Sequence, residues 1–320
     1  MTKLSLTLAC TASDRTRPVL DGRVAVPGVE FVALPGEPED IFRRALRDRA
    51  FDVSELSMGS HIVTTARGDA PYVGVPVFPS RAFRHSAVYV RTDRGIAGPG
   101  DLAGRTVGVP EYQHTAALWV RGILREHYGV DTRGVAWRTG GERVPISLPG
   151  GLDVRPLGED LQAALAAGRL DAMIAPRPPA AFEDRDAPVG RLWPDHRAEE
   201  VAWHRATGFF PIMHCLAVRR DVAERHPWLP VELFRAFARA RAIALEELRL
   251  VNVLRVSLPW AAAAFEEQAA IMGGDPWPYG FARNRDEIGA MVRFAAADGL
   301  AAGPVPPEAL FHPRTLAEAG

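Results

Sequence analysis

The sequence predicts an α/β protein with a mainly parallel sheet, and three observations lead there. A unit of short apolar strand, polar turn and helical pattern recurs along the chain. Strands and helices alternate rather than cluster, which is the order of parallel strands joined by right-handed crossovers. At 320 residues, with 47% hydrophobic and 24% charged, the chain is long enough for two domains with cores of ordinary size.

Each element has its own reason. Leu4–Ala9 alternates apolar with polar or small residues, which is the strand period. The stretch runs on into Leu-Ala-Cys, as a lipoprotein signal would, but lacks the apolar run of about 7–15 residues that a signal requires. It is therefore expected to be the first strand of a cytoplasmic protein, delivering residues 14–17 into a site ahead of a short helix at 18–20. Residues 51–53 read as a strand, with Ser54 and Glu55 in the following turn and a helix over 56–67. Thr106–Val109 reads as a strand and 110–113 as a turn. A helix over 115–127 then places Ala116, Trp119, Val120 and Ile123 on one face. Residues 161–167 form a helix stopped by Gly168, followed by a strand at 172–175 and Arg177 in a Pro-rich loop. Residues 141–156, rich in Gly and Pro, read as an irregular loop. The last third is helical over 231–250, 260–272 and 286–297, with the aromatic turn DPWPYGFARN between the last two.

Composition excludes several function classes. A net charge of −1 speaks against a dedicated nucleic-acid binder. No apolar run approaches the roughly 18 residues of a membrane span. The single lysine, Lys3, stands against 37 arginines, so Schiff-base chemistry has no candidate. Cys10 and Cys215 belong to no motif and are expected as buried free thiols. Nucleotide-binding glycine loops, the G-x-S-x-G elbow, paired zinc ligands and acidic calcium loops are all missing. No cofactor is expected; a divalent metal held by His85, His114, His214 and Glu55 across the fold is left open.

In parallel sheets ligands sit beyond the carboxyl ends of strands. That rule selects residues 14–17, 54–57 and 111–115, and Arg177. The stretch PVFPSRAFRHSAVYVR adds Arg81, Arg84 and His85 just before an apolar strand at 87–90. Guanidinium forks bind carboxylates bidentately, so this cluster suits an acid-bearing ligand, although a solvated basic loop has the same letters. His114 and Thr115 open a helix, where unpaired N–H groups favour an anion; helix capping by Thr115 is the alternative. Glu55 could orient a histidine or only complement a helix dipole. His214 begins an apolar run and reads equally as a core histidine.

Eight stretches in the same order, over nearly the whole chain, resemble the 4,5-dihydroxyphthalate decarboxylase family: DRTRPVLDGRV, FDVSELSMGSHI, PVFPSRAFRHSAVYV, GVPEYQHTAALWVRGIL, FFPIMHCLAVRRD, HPWL, SLPW and PWPYG. His114 departs from the family, which has a hydrophobic residue there, usually methionine; the substrate would differ if that side chain lines the pocket. The resemblance implies a two-lobed type II periplasmic-binding-protein-like fold with the ligand in the interlobe cleft. Lobe one would be residues 1–88 plus 217–320 and lobe two 89–216, with 85–90 and 214–218 as the crossing segments.

The implied reaction is non-oxidative decarboxylation of a hydroxylated aromatic acid by protonation of the ring carbon that bears the leaving carboxylate. His85 would be the proton donor, and Glu55 or Asp14 would orient it or contact phenol. Arg15, Arg81 and Arg84 would hold carboxylate, and Arg177 would anchor from lobe two. His214 and His114 would contact the phenols or a metal, with Thr115 beside them. The alternatives are a solute-binding protein for a small organic acid on the same fold, and a metal-dependent lyase or decarboxylase. The expected partner is a small aromatic acid, with no nucleic acid and no membrane; a homo-oligomer is left open.

Overall fold

The computed structural model describes residues 3–303 and 305–320. The chain opens with β1 (Leu4–Ala9), α1 (Arg17–Leu20), β2 (Val29–Ala33), α2 (Pro38–Asp48), β3 (Val53–Ser57), α3 (Met58–Arg67) and β4 (Tyr72–Arg81). It continues through β5 (Val88–Arg91), β6 (Thr106–Val109), α4 (Thr115–Glu126), β7 (Ala136–Thr139) and β8 (Val154–Pro156). Next come α5 (Leu161–Ala166), β9 (Ala172–Ile174), α6 (Ala180–Glu183), β10 (Val189–Arg191) and α7 (His196–Thr207). The last elements are β11 (Ile212–Arg219), α8 (Arg220–Arg225), α9 (Leu229–Leu248), α10 (Ala261–Met272) and α11 (Phe281–Ala297).

Two sheets result, one per lobe: β2-β1-β3-β11-β4 and β10-β5-β9-β6-β7-β8. Both are mainly parallel, as expected, but each holds one reversed strand. In the first sheet β11 runs antiparallel to both β3 and β4. In the second β5 runs antiparallel to β9 and β10. These are the first strands the chain lays down after each passage between lobes. The passages are residues 82–87 and 208–211, tied together where the Ala82 N–H donates to the Pro211 carbonyl at 3.0 Å.

Three local expectations change. Residues 212–216 pair in the first sheet rather than in lobe two, and 214–218 is a full ladder strand instead of a crossing. Glu55 lies in the middle of β3 rather than in a turn, because the helix starts only after Ser57, whose hydroxyl caps it by accepting from the Ser60 N–H. Within 141–156 the end forms the edge strand β8, paired with β7.

Helix α4 decides how the lobes meet. One apolar face was expected, yet every residue from Thr115 to Leu124 is buried. It is enclosed because α11 packs on its outer side, filling the face that a surface helix would give to water. Gly122 permits this: a Cβ there would sit 2.2 Å from the Phe294 ring. Asp298, just past α11, accepts from Arg121 Nε at 2.6 Å and also pairs with Arg125. The Trp119 indole N–H donates to the Ile212 carbonyl at 2.9 Å, joining α4 to the first strand after the second crossing. Cys10 and Cys215 are buried free thiols, as expected.

Candidate active site

The centre of the site is a carboxylate–imidazole pair built by strand register. Across the antiparallel β3–β11 ladder Leu216 stands opposite Glu55, so His214, two residues away, projects from the same face. The His214 Nδ1 and Glu55 Oε1 lie 2.6 Å apart. The second carboxylate oxygen, Oε2, accepts the Thr11 N–H at 2.7 Å. That donor is aimed by the turn after β1, which the Thr16 hydroxyl pins by donating to the Thr11 carbonyl at 2.6 Å and accepting from the Ser13 N–H. Burial by itself would raise the Glu55 carboxyl, but the hydrogen bond and charge of His214, with the Thr11 N–H, outweigh it and hold the group below its ordinary range. Glu55 is thus a buried carboxylate, and His214, 17% exposed at its side chain, is the member of the pair that is accessible from outside.

Around His214 the two lobes bring three further groups. The Phe42 ring from α2 meets the imidazole edge-on at 4.8 Å. The Arg143 guanidinium from lobe two lies over the Phe42 ring, 5.7 Å from its centre, and is bidentate to Glu111 at 2.6 and 2.7 Å. Arg84, from the first crossing, donates its Nε to the sulfur of Met213 at 3.0 Å. Among the described residues it makes no ion pair; burial lowers its pKa to about 10, opposed by the Glu200 charge, so it stays a cation at neutral pH. A largely buried guanidinium with two free Nη groups is a seat for an anion.

His114 completes the arrangement at the head of α4. Burial drives its pKa down to about 3, and the charges of Arg84, Arg143, His214 and Arg121 add to the effect. The ring is neutral, and its Nδ1 has no hydrogen-bond partner among the described residues. Thr115 does not cap its own helix. Its hydroxyl instead accepts from the Gly59 N–H at 3.0 Å and bonds the Ser57 hydroxyl at 2.9 Å, stitching the starts of α3 and α4 together. The approach is so close that a Cβ on Gly59 would lie 2.0 Å from the Gln113 carbonyl oxygen.

Of the residues expected in the site, Glu55, His214, His114, Arg84 and Thr115 gather here. The others do not. His85 sits instead in a box of Trp193, Trp203 and Tyr128 with ring centres 4.9, 5.8 and 6.1 Å away. Glu55 orients His214 rather than His85, whose ring nitrogens have no partner among the described residues. Burial, with His127 and His196 nearby, lowers its pKa to about 4.

Arg81 is a buried structural link rather than an anchor, held by Glu287 at 3.1 Å, the Phe210 and Pro278 carbonyls and Asn284. Arg15 is occupied by Asp14 at 2.8 Å and the Pro79 carbonyl at 2.7 Å, and stacks 3.9 Å above Trp277. Asp14 is exposed. Arg177 reaches across the lobes to Glu37 at 3.1 Å and Glu39 at 3.4 Å, all three exposed.

Sequence reasoning missed Phe42, Arg143 and Glu142. Glu142 carries a carboxyl raised to about 7 by burial and then by the charge of Glu111. Phe42 sits in an ordinary amphipathic helix, and the other two sit in the loop read as irregular, so neither place carried a motif. Among the described residues, no group of three or more His, Cys, Asp or Glu side chains is placed to hold a metal ion. His85, His114, His214 and Glu55 therefore do not converge on one.

No protein-family model matches the chain. The 4,5-dihydroxyphthalate decarboxylase of Comamonas testosteroni is 42% identical over 325 aligned residues, covering 99% of this chain and 98% of that protein. The 4,5-dihydroxyphthalate decarboxylase of Pseudomonas putida is 43% identical over 218 residues, covering 65% of this chain and 84% of its own. Among solved structures, the periplasmic aliphatic sulphonate binding protein SsuA from Escherichia coli matches 99% of this chain and all of its own, with TM-score 0.55 and 14% identity. The periplasmic sulfonate-binding protein SsuA from Methylobacillus flagellatus has TM-score 0.59 and 14% identity, over 99% of this chain and 94% of its own. Those structures establish the fold; the relatives establish the family. This chain belongs to the 4,5-dihydroxyphthalate decarboxylase family, a carboxy-lyase built on the two-lobed type II periplasmic-binding-protein fold.

Proposed function

We propose that the chain decarboxylates a hydroxylated aromatic acid resembling 4,5-dihydroxyphthalate, with His214 as the acid that protonates the ring. The observation that carries this reading is the His214–Glu55 pair, 2.6 Å long, beside an Arg84 that makes no ion pair among the described residues. A phenol ortho or para to the carboxylate pushes electron density onto the carbon that bears it. In the doubly protonated imidazole, Glu55 holds Nδ1–H and the Nε2 proton passes to that carbon. The carbon–carboxylate bond then breaks, its electron pair returns to the ring, and carbon dioxide leaves. One proton is consumed per turnover, and His214 regains it from solvent.

The remaining groups have matching tasks. Arg84 neutralises a substrate carboxylate through its free Nη groups. Neutral His114 offers a hydrogen bond to a phenol without adding a charge, and Phe42, buried edge-on against His214, holds the imidazole in place. Glu55 fixes the tautomer and rotation of His214, as carboxylates do for catalytic imidazoles.

The test is carbon dioxide release and ligand binding measured side by side on hydroxylated aromatic acids. His214→Asn is expected to lose at least about 100-fold in kcat while still binding the acid, the usual size of general-acid catalysis. Arg84→Met is expected to raise KM by about tenfold or more, as removal of a charge-assisted hydrogen bond does. Tight binding with no turnover by the unaltered chain would replace the reading with that of a solute-binding protein. Full turnover in folded His214→Asn would remove the donor assignment.

A further inference from the structure

The ends of two lobe-one helices meet lobe two over a basic crevice. It is a cavity of about 330 Å³, lined by Arg47 and Arg49 at the end of α2, Arg67 and Asp69 at the end of α3, and Arg143 and Pro145 of lobe two. Two contacts cross it from lobe to lobe. Arg67 donates its Nη1 to the Pro145 carbonyl, and Arg47 reaches the Glu142 carbonyl with Nη2 at 3.5 Å. No lining residue is aromatic, so the crevice gives a nucleobase or an aromatic acid nothing to stack on.

Charge in the crevice is unbalanced. Four guanidiniums line it against one carboxylate, Asp69, which Arg67 takes at 2.9 Å. Arg143 spends its Nε and Nη2 on Glu111, and its Nη1 has no partner among the described residues. The side chains of Arg47 and Arg49 make no ion pair among the described residues. Arg49 is unusual in its backbone as well. It caps α2 in the left-handed conformation, at φ 50° and ψ 38°, and is the one non-glycine among the described residues with a positive φ. Glycine is the usual residue at such a cap. An arginine held there in its place supplies the crevice with a cation that glycine would not.

We propose that this crevice binds a compact polyvalent oxyanion, orthophosphate or pyrophosphate, held by Arg47 and Arg49 from lobe one and Arg143 from lobe two, with Arg67 adding its charge. Guanidinium forks match phosphate oxygens bidentately, and the groups named keep N–H donors that the protein itself leaves unused. Neither Arg84 nor His214 lines the crevice, so it is separate from the seat proposed for the substrate carboxylate. The two are joined through Arg143, which also lies over the Phe42 ring that meets His214. An anion in the crevice therefore ties the lobes together by charge and fixes a side chain that borders the His214–Glu55 pair.

Isothermal titration calorimetry of the full chain with orthophosphate and with pyrophosphate, at constant chloride, tests the proposal. It is run on the wild type and on Arg84→Met, in which an anion at the substrate seat no longer enters the reading. Both proteins should bind at least one of the two anions with a dissociation constant below about 1 mM. Adding Arg47→Gln and Arg49→Gly should weaken that binding about tenfold or more, as loss of charge-assisted hydrogen bonds does. Glycine suits the left-handed cap, so circular dichroism should be unchanged. Pyrophosphate binding about tenfold tighter than orthophosphate assigns the crevice to a diphosphate, and equal binding assigns it to a single phosphate group. Binding that is absent from Arg84→Met, or untouched by the two added substitutions, overturns the proposal. So does a wild type whose dissociation constant exceeds about 10 mM for both anions. Failure of the Arg84 assignment shows separately, as an unchanged KM for the aromatic acid in Arg84→Met.

Discussion

Two adjacent residues at the first crossing, Arg84 and His85, enter different surroundings, and their fates separate accordingly. Arg84 reaches Met213 and the His114–His214 neighbourhood, whereas His85 is closed in by three aromatic rings. A buried neutral imidazole has a distinct acid signature. Its folded pKa of about 4 is below the unfolded value, so between about pH 6.5 and 4 the unfolded chain binds the extra proton. The stability His85 contributes is therefore complete above that window and is lost as the pH falls through it. Thermal unfolding should show a melting temperature that drops from pH 6.5 to 4, with a shallower drop in His85→Phe. The same variant should keep turnover within about threefold, because an aromatic replacement refills the box. Loss of turnover comparable to His214→Asn would return the donor role to His85.

At the scale of elements, α4 and α11 form the joint between the lobes. Arg121 is fully buried and depends on Asp298 for its counter-charge. Asp298→Ala leaves a guanidinium without a carboxylate in the interior, a change that costs about 3–5 kcal/mol. Urea unfolding should show that loss; a change under 1 kcal/mol would mean water or another group replaces the carboxylate. Gly122→Ala drives a methyl into the Phe294 ring and should cost about 1–3 kcal/mol, with partial recovery when Phe294 is shortened to leucine. Neither effect is local to one lobe. The α4–α11 packing and the Ser57–Thr115 hydrogen bond both tie the two lobes to each other.

Across the whole molecule, Arg177 distinguishes a latch from an anchor. Its partners Glu37 and Glu39 belong to the opposite lobe, and all three groups are exposed, so the contact is weak and screened by salt. Arg177→Ala should change kcat/KM by less than about threefold, and moderate salt should bring the wild type to the variant's value. A rise in KM of tenfold or more that persists in salt would make Arg177 a substrate contact after all.

The pattern of residues along the chain determined a good deal by itself. Alternation at Leu4–Ala9 and Thr106–Val109, and the helical period of the last third, reproduce the elements, because local apolar spacing reflects which face is buried. Glu55, His214, Arg84 and His114 stood out as chemistry-bearing residues near strand ends and crossings. What the tertiary structure alone decided is which of them meet. The partner of Glu55 follows from the β3–β11 register, a pairing of segments 159 residues apart. Phe42 joins the site because α2 packs on β3, and Arg143 because the two lobes close on each other; no short-range pattern records contacts made across such distances. Burial likewise sorts otherwise identical imidazoles, since the free energy of a charged ring depends on the groups packed around it rather than on its neighbours in the chain.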